Sequence, residues 1–139
     1  MEITIREGAG NMDFARVTAM LSLAPWSPGI RQNEVRKGAE NSALVIGAFA
    51  ASEQVGYARV ISDKTRFAYL SDVFVREDFR GHGAATKMLR HIPTHESLSD
   101  VYQWYLQTFD AHPLYEKAGF RVIGNPGNWM GIAKGHPQR

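Results

Sequence analysis

The sequence predicts an α/β (α+β) fold, a single domain over residues 1–139 with a mixed, mostly antiparallel sheet flanked by helices. The length of 139 residues and the ordinary globular composition, 44% hydrophobic and 22% charged, suit one domain with one core. Three strand-like runs follow one another closely in the middle of the chain. Apolar residues at helical spacing come before and after them.

The first forty residues are expected to form one strand and two helices. The strand covers residues 3–6. From Asn11 the apolar spacing becomes helical, and Asn11 is the expected N-cap. Pro25 ends this helix. A second helix, thinly apolar and therefore at the surface, is expected to begin with Ser27 as N-cap and Pro28 at its first position.

The next part of the chain predicts three strands and a helix. Residues 42–50, 53–62 and 66–75 are strand-like, and their connections are short enough for hairpins, so they are expected to be antiparallel neighbours. A helix with one clean apolar face follows, and Pro93 stops it.

The last forty residues are expected to return to the sheet. Residues 101–108 are β-rich, and AHPLYEKAG predicts a short helix with Asp110 as its N-cap. Gly119 suits a left-handed C-cap. The segments FRVI and NWMGIA predict two closing strands.

The stretch RGHGAATKM lies where the third hairpin strand ends and a helix begins. A helix N-terminus exposes unpaired N–H groups and carries roughly half a positive charge. Gly81 and Gly83 allow these donors to curl around an anion, and Arg80 adds a forked cation. The residues alone leave two interpretations open, a diphosphate cradle or a turn that needs glycine only for its geometry.

Two motifs carry a family resemblance. VFVREDFRGHGAATKML resembles the central motif of the GNAT superfamily of acyl-CoA N-acyltransferases, with Arg80, Gly83 and Ala85 on its Arg/Gln-x-x-Gly-x-Gly/Ala pattern. TFDAHPLYEKAGFRVI resembles the C-terminal motif, a short helix carrying LYEK and then GF. Their order and spacing suit the superfamily, and the resemblance covers residues 66–123. The Asn usual at the start of the second motif is Thr108 here.

The resemblance implies an N-acetyltransferase with acetyl-CoA as co-substrate and a primary amine as acceptor, which attacks directly in a ternary complex. It places the diphosphate on the amides from Gly81 to Ala85. The pantetheine arm would pair with backbone groups of Val73 and Val75, in a gap beside the strand at 101–108. The residues expected to contact acetyl-CoA are Val73, Phe74, Val75, Arg80, Gly81, His82, Gly83, Ala84, Ala85, Thr108 and Tyr115.

Amine acylation sets three chemical requirements. The amine must lose its proton, since an alkylammonium has a pKa of about 10.4. The thioester oxygen needs donors as it becomes an oxyanion, and the departing thiolate needs a proton. The resemblance places Tyr115 near the sulfur as general acid, although helical spacing alone would favour a packing role. No covalent intermediate is needed, so the absence of cysteine is no obstacle.

The general base is left open by the sequence. Ser71 and Asp72 are the polar residues of an otherwise apolar strand. By the period of two, Asp72 is expected to share a face with Leu70 and Phe74. It can take the amine's proton, directly or through water, or it can pair with a basic neighbour such as Arg59 or close a turn.

Three further residues are candidates for the acceptor side. Trp26 lies where superfamily members usually close over the acceptor, and Tyr69 lies on the strand that leads to the cradle. His112, one helical turn before Tyr115, is either a second base or a solvent-exposed histidine of the first turn.

Several classes of ligand and location are not favoured. The histidines lack metal-ligand spacing, so no metal is expected. The net charge is only +2, and the lysines and arginines are scattered along the chain, which argues against a nucleic-acid ligand. The longest apolar run is too short to span a membrane. The expected protein is cytoplasmic and acts on a small-molecule or peptide amine. Superfamily members are often dimers, so the resemblance also allows a homodimer. The alternative is an inactive acyl-CoA-binding or partner-binding module of the same fold.

Overall fold

The computed structural model describes residues 2–139 and contains a five-stranded sheet in the order β1-β2-β3-β4-β5. The first four strands are antiparallel neighbours, and β5 is parallel to β4. The strands are β1 Ile3–Glu7, β2 Leu44–Ala50, β3 Glu53–Ser62, β4 Ala68–Val75 and β5 Trp104–Tyr105. The helices are α1 Phe14–Leu21, α2 Gln32–Glu40, α3 Ala84–His91 and α4 His112–Lys117. The predicted fold class and the three central hairpin strands are confirmed.

Helices cover both faces of the sheet and divide the core into two clusters. On one face, Met88 and Leu89 of α3 pack with Ile46 of β2 and Leu70 of β4. On the other face, the apolar sides of α1 and α2 pack over Tyr57 of β3. Because β4 lies between both helical layers and near the open edge of the sheet, residues on its two faces reach different surroundings.

The predicted start of α1 was wrong by two residues. Asn11 lies in a short 3-10 turn, and its side-chain amide donates to the Glu7 carbonyl rather than capping the helix. Asp13 is the N-cap, because its carboxylate accepts a hydrogen bond from the Arg16 N–H. The helix ends at Leu21, before the proline that was expected to end it.

The predicted start of α2 was also wrong. The helix begins at Gln32, after Arg31, instead of at Ser27 and Pro28. The buried Ser27 hydroxyl donates to the Leu21 carbonyl at 2.7 Å, so it satisfies the end of α1 rather than the beginning of α2. The segment between the two helices, residues 22–31, is therefore a longer loop than expected.

The C-terminal region departs furthest from the prediction. The run 101–108 contributes only Trp104–Tyr105, and the segments FRVI and NWMGIA do not form strands. A strand needs a hydrogen-bonding neighbour, and the chain leaves the edge of β4 after Tyr105. Asp110 is not the cap of α4 either, since Thr108 Oγ1 accepts from the Ala111 N–H at 3.0 Å.

Candidate active site

The turn before α3 presents a run of unused backbone donors. Gly81 and Gly83 have φ angles of +83° and +82°, and Gly83 is the N-cap of the helix. Across the part of the chain that the structure describes, the N–H groups from Gly81 to Thr86 find no hydrogen-bond acceptor in the protein. A Cβ atom built on either glycine would meet no atom within 4 Å. These unused amides lie at the positive end of the helix dipole, with open space around the two glycines, as an anion site requires.

Arg80 stands beside these amides with part of its guanidinium already engaged. Its Nε donates to the Val75 carbonyl at 3.0 Å, and its guanidinium carbon lies 5.4 Å from the centroid of the Phe74 ring. The side chain is otherwise exposed, so the two terminal nitrogens remain available to an anion. His82 is also exposed, with its ring edge-on to Phe79 at 6.4 Å.

The sheet opens beside the second half of β4. Strands β4 and β5 pair only at Ala68 with Trp104 and at Tyr69 with Tyr105. On the opposite side, the pairing of β4 with β3 continues as far as Val75. The edge of β4 that faces β5 is therefore without a strand partner from residue 70 onward, where the resemblance implies a gap.

One groove, of about 490 Å³, lies between β5 and α4 and brings four of the predicted residues together. They are Tyr69, Thr108, His112 and Tyr115. Trp129 closes part of the same groove by packing edge-on against Tyr105, at 4.6 Å between ring centroids. His112 is exposed to solvent, which agrees with its interpretation as a first-turn surface histidine.

Tyr115 is half-buried and keeps its proton. Its ring packs edge-on against Phe120 at 6.1 Å. Burial raises the pKa of the Tyr115 hydroxyl, and the negative charge of Asp110 raises it further. Burial also raises the pKa of Tyr69, with Asp72 adding to the shift. Both hydroxyls are therefore proton donors rather than bases at neutral pH.

Asp72 does not lie where the period of two places it. The β3–β4 register shifts between Tyr57 and Arg59, and Asp72 occupies the resulting bulge with a φ of +57°. Leu70 packs in the cluster beneath α3, whereas Phe74 packs against the cluster beneath α1 and α2. Asp72 points to the second face, toward Arg59, so sharing a face with Phe74 was right and sharing one with Leu70 was wrong.

Both oxygens of the Asp72 carboxylate have partners. Arg59 Nε donates to Oδ2 at 2.7 Å, and the Trp26 indole donates to Oδ1 at 2.9 Å. The Arg59 partner was one of the alternatives that the sequence left open. The Trp26 partner was missed, because nothing in the local pattern of β4 indicates a bulge that turns the carboxylate toward the loop 22–31.

A second groove, of about 980 Å³, lies between α1 and the end of β4. Phe74 and Arg80 line it together with Arg16 and Arg76. Arg76 is held by Asp78 at 2.6 Å and by the nearby carboxylate of Glu53 at 3.2 Å. The predicted residues are thus divided between two grooves, with Asp72 and the unpaired edge of β4 between them. The charge-rich REDFR was the available signal for Arg76, but its pairing was not predicted.

No group of three or more His, Cys, Asp or Glu residues that could hold a metal ion is found within residues 2–139. In the same range, no helix is both long enough and apolar enough to cross a membrane.

The comparisons with known proteins identify the family. The sequence model of the acetyltransferase (GNAT) domain matches residues 41–122, more than half of the chain. A crystal structure of a GNAT-family acetyltransferase from Xanthomonas campestris is 31% identical, with a TM-score of 0.89 over 96% of this chain and 94% of that one. The chain therefore belongs to the GNAT acetyltransferase family, as the two motifs indicated.

More distant structures share the fold. A GNAT-family acetyltransferase from Streptococcus pneumoniae is 17% identical, with a TM-score of 0.74 over 99% of this chain and 100% of that one. An acetyltransferase from Clostridium acetobutylicum, solved with acetyl-CoA, is 16% identical, with a TM-score of 0.71 over 95% and 96% of the two chains. Among curated proteins, none matches.

Proposed function

We propose that this protein is an N-acetyltransferase that moves an acetyl group from acetyl-CoA to a primary amine by direct attack in a ternary complex. The observation that carries the proposal is the run of unused N–H groups from Gly81 to Thr86, next to the unpaired edge of β4. A diphosphate with an extended, amide-containing arm is a ligand that would use both features. The acceptor is a small-molecule or peptide amine.

The residues present fit acetyl-CoA. The amides from Gly81 to Ala85 would hold the diphosphate, and the exposed guanidinium of Arg80 would add charge. The open edge of β4 at Val73 and Val75 would accept the pantetheine arm, with Thr108 on the far side of the gap. Acetyl-CoA supplies an acetyl group already activated as a thioester.

Tyr115 would act as the general acid. In the reaction, a bond forms between the amine nitrogen and the acetyl carbon, and the bond from that carbon to sulfur breaks. The raised pKa of Tyr115 keeps a proton on its hydroxyl at neutral pH, and that proton would pass to the departing sulfur. The alkylammonium would give one proton to water before it attacks, and the nitrogen would give a second to water as the amide forms, through the open mouth of the groove. Water would then return a proton to the Tyr115 oxygen, so that the net release is one proton.

The proposal is tested by release of free thiol from acetyl-CoA with spermidine, kanamycin, L-lysine and a lysine-containing peptide. We expect at least one amine to give thiol together with an N-acetylated product detected by mass spectrometry. Calorimetry with acetyl-CoA alone measures the cofactor site separately. Tight binding without turnover on any amine would support the inactive acyl-CoA-binding alternative, and no binding would contradict both.

A further inference from the structure

The carboxylate of Asp72 connects four parts of the protein. It accepts from Arg59 of β3 and from Trp26 of the loop 22–31, at 2.7 and 2.9 Å. The ion pair is shielded, since the Arg59 and Asp72 side chains are only 21% and 13% exposed. Arg59 also lies within 3.5 Å of the Gly38 carbonyl and 3.4 Å of Ser42 Oγ, at the end of α2. Asp72 therefore joins β4 to β3, to α2 and to the loop between the first two helices.

The bulge in β4 sets up this arrangement. A φ of +57° lies in the left-handed region, which residues other than glycine rarely adopt. Such a conformation persists where the surroundings hold it in place, and here Arg59 and Trp26 do so. As a result, the Asp72 carboxylate leaves the regular alternation of the strand and points toward the loop 22–31, where it meets Trp26.

The same contacts argue against proton abstraction by Asp72. Each of its oxygens accepts from an N–H donor, and one donor is the Arg59 cation, so protonation would remove the negative charge that strengthens both hydrogen bonds. The charged groups at this site are Arg59 and the Asp72 carboxylate. Both charges act on the pKa values of the nearby Tyr57 and Tyr69 hydroxyls, where Arg59 lowers them and Asp72 raises them. The carboxylate is thus better suited to hold a neighbour than to exchange protons.

The neighbour it holds is an exposed aromatic ring. Trp26 is 47% exposed, and its ring lies edge-on to Phe74 with 6.4 Å between centroids. Phe74 lines the groove that also contains Arg80 of the cradle. We propose that Asp72 is a positioning residue that fixes Trp26 beside Phe74, so that the loop 22–31 forms one wall of the amine site. This inference rests on the proposed N-acetyltransferase function.

The kinetic test compares Asp72→Asn with Trp26→Phe, which keeps an aromatic ring but removes the N–H donor. Both variants are expected to raise the KM for the amine about tenfold, the effect of a lost charge-assisted hydrogen bond. The KM for acetyl-CoA and the shape of the pH profile of kcat should not change. Since Asp72 acts through Trp26, the double variant should be no worse than the more damaging single variant.

Asp100→Asn, which removes the charge of an exposed carboxylate elsewhere, is the matched control and should leave all these parameters unchanged. If Asp72 is the base instead, Asp72→Asn will lower kcat at neutral pH and recover at high pH, while Trp26→Phe leaves the KM for the amine unchanged. That pattern overturns the proposal. Should Asp72→Asn fail to fold, Trp26→Phe alone decides, because an unchanged KM for the amine also overturns it.

A fluorescence measurement separates this inference from the proposed function. In a protein carrying Trp104→Phe and Trp129→Phe, Trp26 is the single tryptophan. If Asp72 holds its indole, adding Asp72→Asn should raise the acrylamide quenching constant about twofold, because the ring becomes more mobile and more exposed. Unchanged quenching overturns the positioning role even if amines are acetylated. Increased quenching without any acetylation would mean that the proposed function fails while the link between Asp72 and Trp26 stands.

Discussion

The two sides of the gap in the sheet are made of different chemistry. On the α3 side, the groups that face the gap are backbone amides, held by two glycines in a left-handed conformation. On the α4 side, they are side chains, among them Tyr115. A site made of backbone depends on φ angles and on the space that a missing Cβ leaves. A site made of side chains depends on single atoms, so the two sides should respond to different substitutions.

The largest effect is expected on the side-chain side. Tyr115→Phe removes one hydroxyl and should lower kcat about 10²-fold, the low end of what general acid catalysis contributes, because a thiolate is already a fair leaving group. The affinity for acetyl-CoA, measured by calorimetry, should change less than twofold, since the diphosphate would bind on the α3 side of the gap.

The comparison of the two sides fails if Tyr115→Phe weakens acetyl-CoA binding as much as it slows turnover. The thermal unfolding midpoint provides the control. Phe keeps the packing of the ring against Phe120, so the midpoint should stay close to that of the parent protein.

On the backbone side, Gly83→Val should weaken acetyl-CoA binding about 30-fold. A β-branched residue resists a φ of +82°, and a strained conformation of this kind costs roughly 1–3 kcal/mol. The new side chain would also fill space around Gly83 that is open in the parent protein. Calorimetry measures the loss, and we expect kcat at saturating acetyl-CoA to change much less.

Gly10→Val is the matched control, because Gly10 also has open space around it but lacks a positive φ angle. It should leave acetyl-CoA affinity unchanged. A folded Gly83→Val protein with the parental affinity would remove the phosphate-binding interpretation of the turn.

A smaller effect is expected for Arg80→Ala, about fivefold in the affinity for acetyl-CoA. The guanidinium is exposed, so solvent screens its attraction to a phosphate, and its Nε is already used by the Val75 carbonyl. The loss should shrink further as salt concentration rises. A loss of affinity larger than that of Gly83→Val would mean that the charge of Arg80, rather than the backbone amides, contributes most to acetyl-CoA binding on the α3 side.

These differences also explain what the sequence could predict. The hairpins and the turn into α3 depend on local signals, namely short connections between strands and glycines before a helix, so the three strands within residues 42–75 and the helix after Gly83 were predicted correctly. The bulge at Asp72 is a compromise between β3, Arg59 and the distant Trp26, and no local pattern encodes it. The segments FRVI and NWMGIA have strand-like residues, but a strand also requires a neighbour, and the divergence of β5 from β4 removes it.

The smallest effect, and the most specific for the side-chain side, concerns Asp110. Its negative charge is the second cause, after burial, of the raised pKa of Tyr115. Asp110→Asn should therefore lower that pKa toward its ordinary value near 10, while burial keeps it above. Since the general acid must be protonated, the alkaline decline of kcat should begin at lower pH, and the rate at neutral pH should be unchanged. Tyrosinate absorbance, with the titration of Tyr115→Phe subtracted, reports the pKa without relying on turnover. An Asp110→Asn protein that titrates like the parent would show that burial alone sets the pKa of Tyr115, and a rate lowered at neutral pH would show that Asp110 has a role other than its charge.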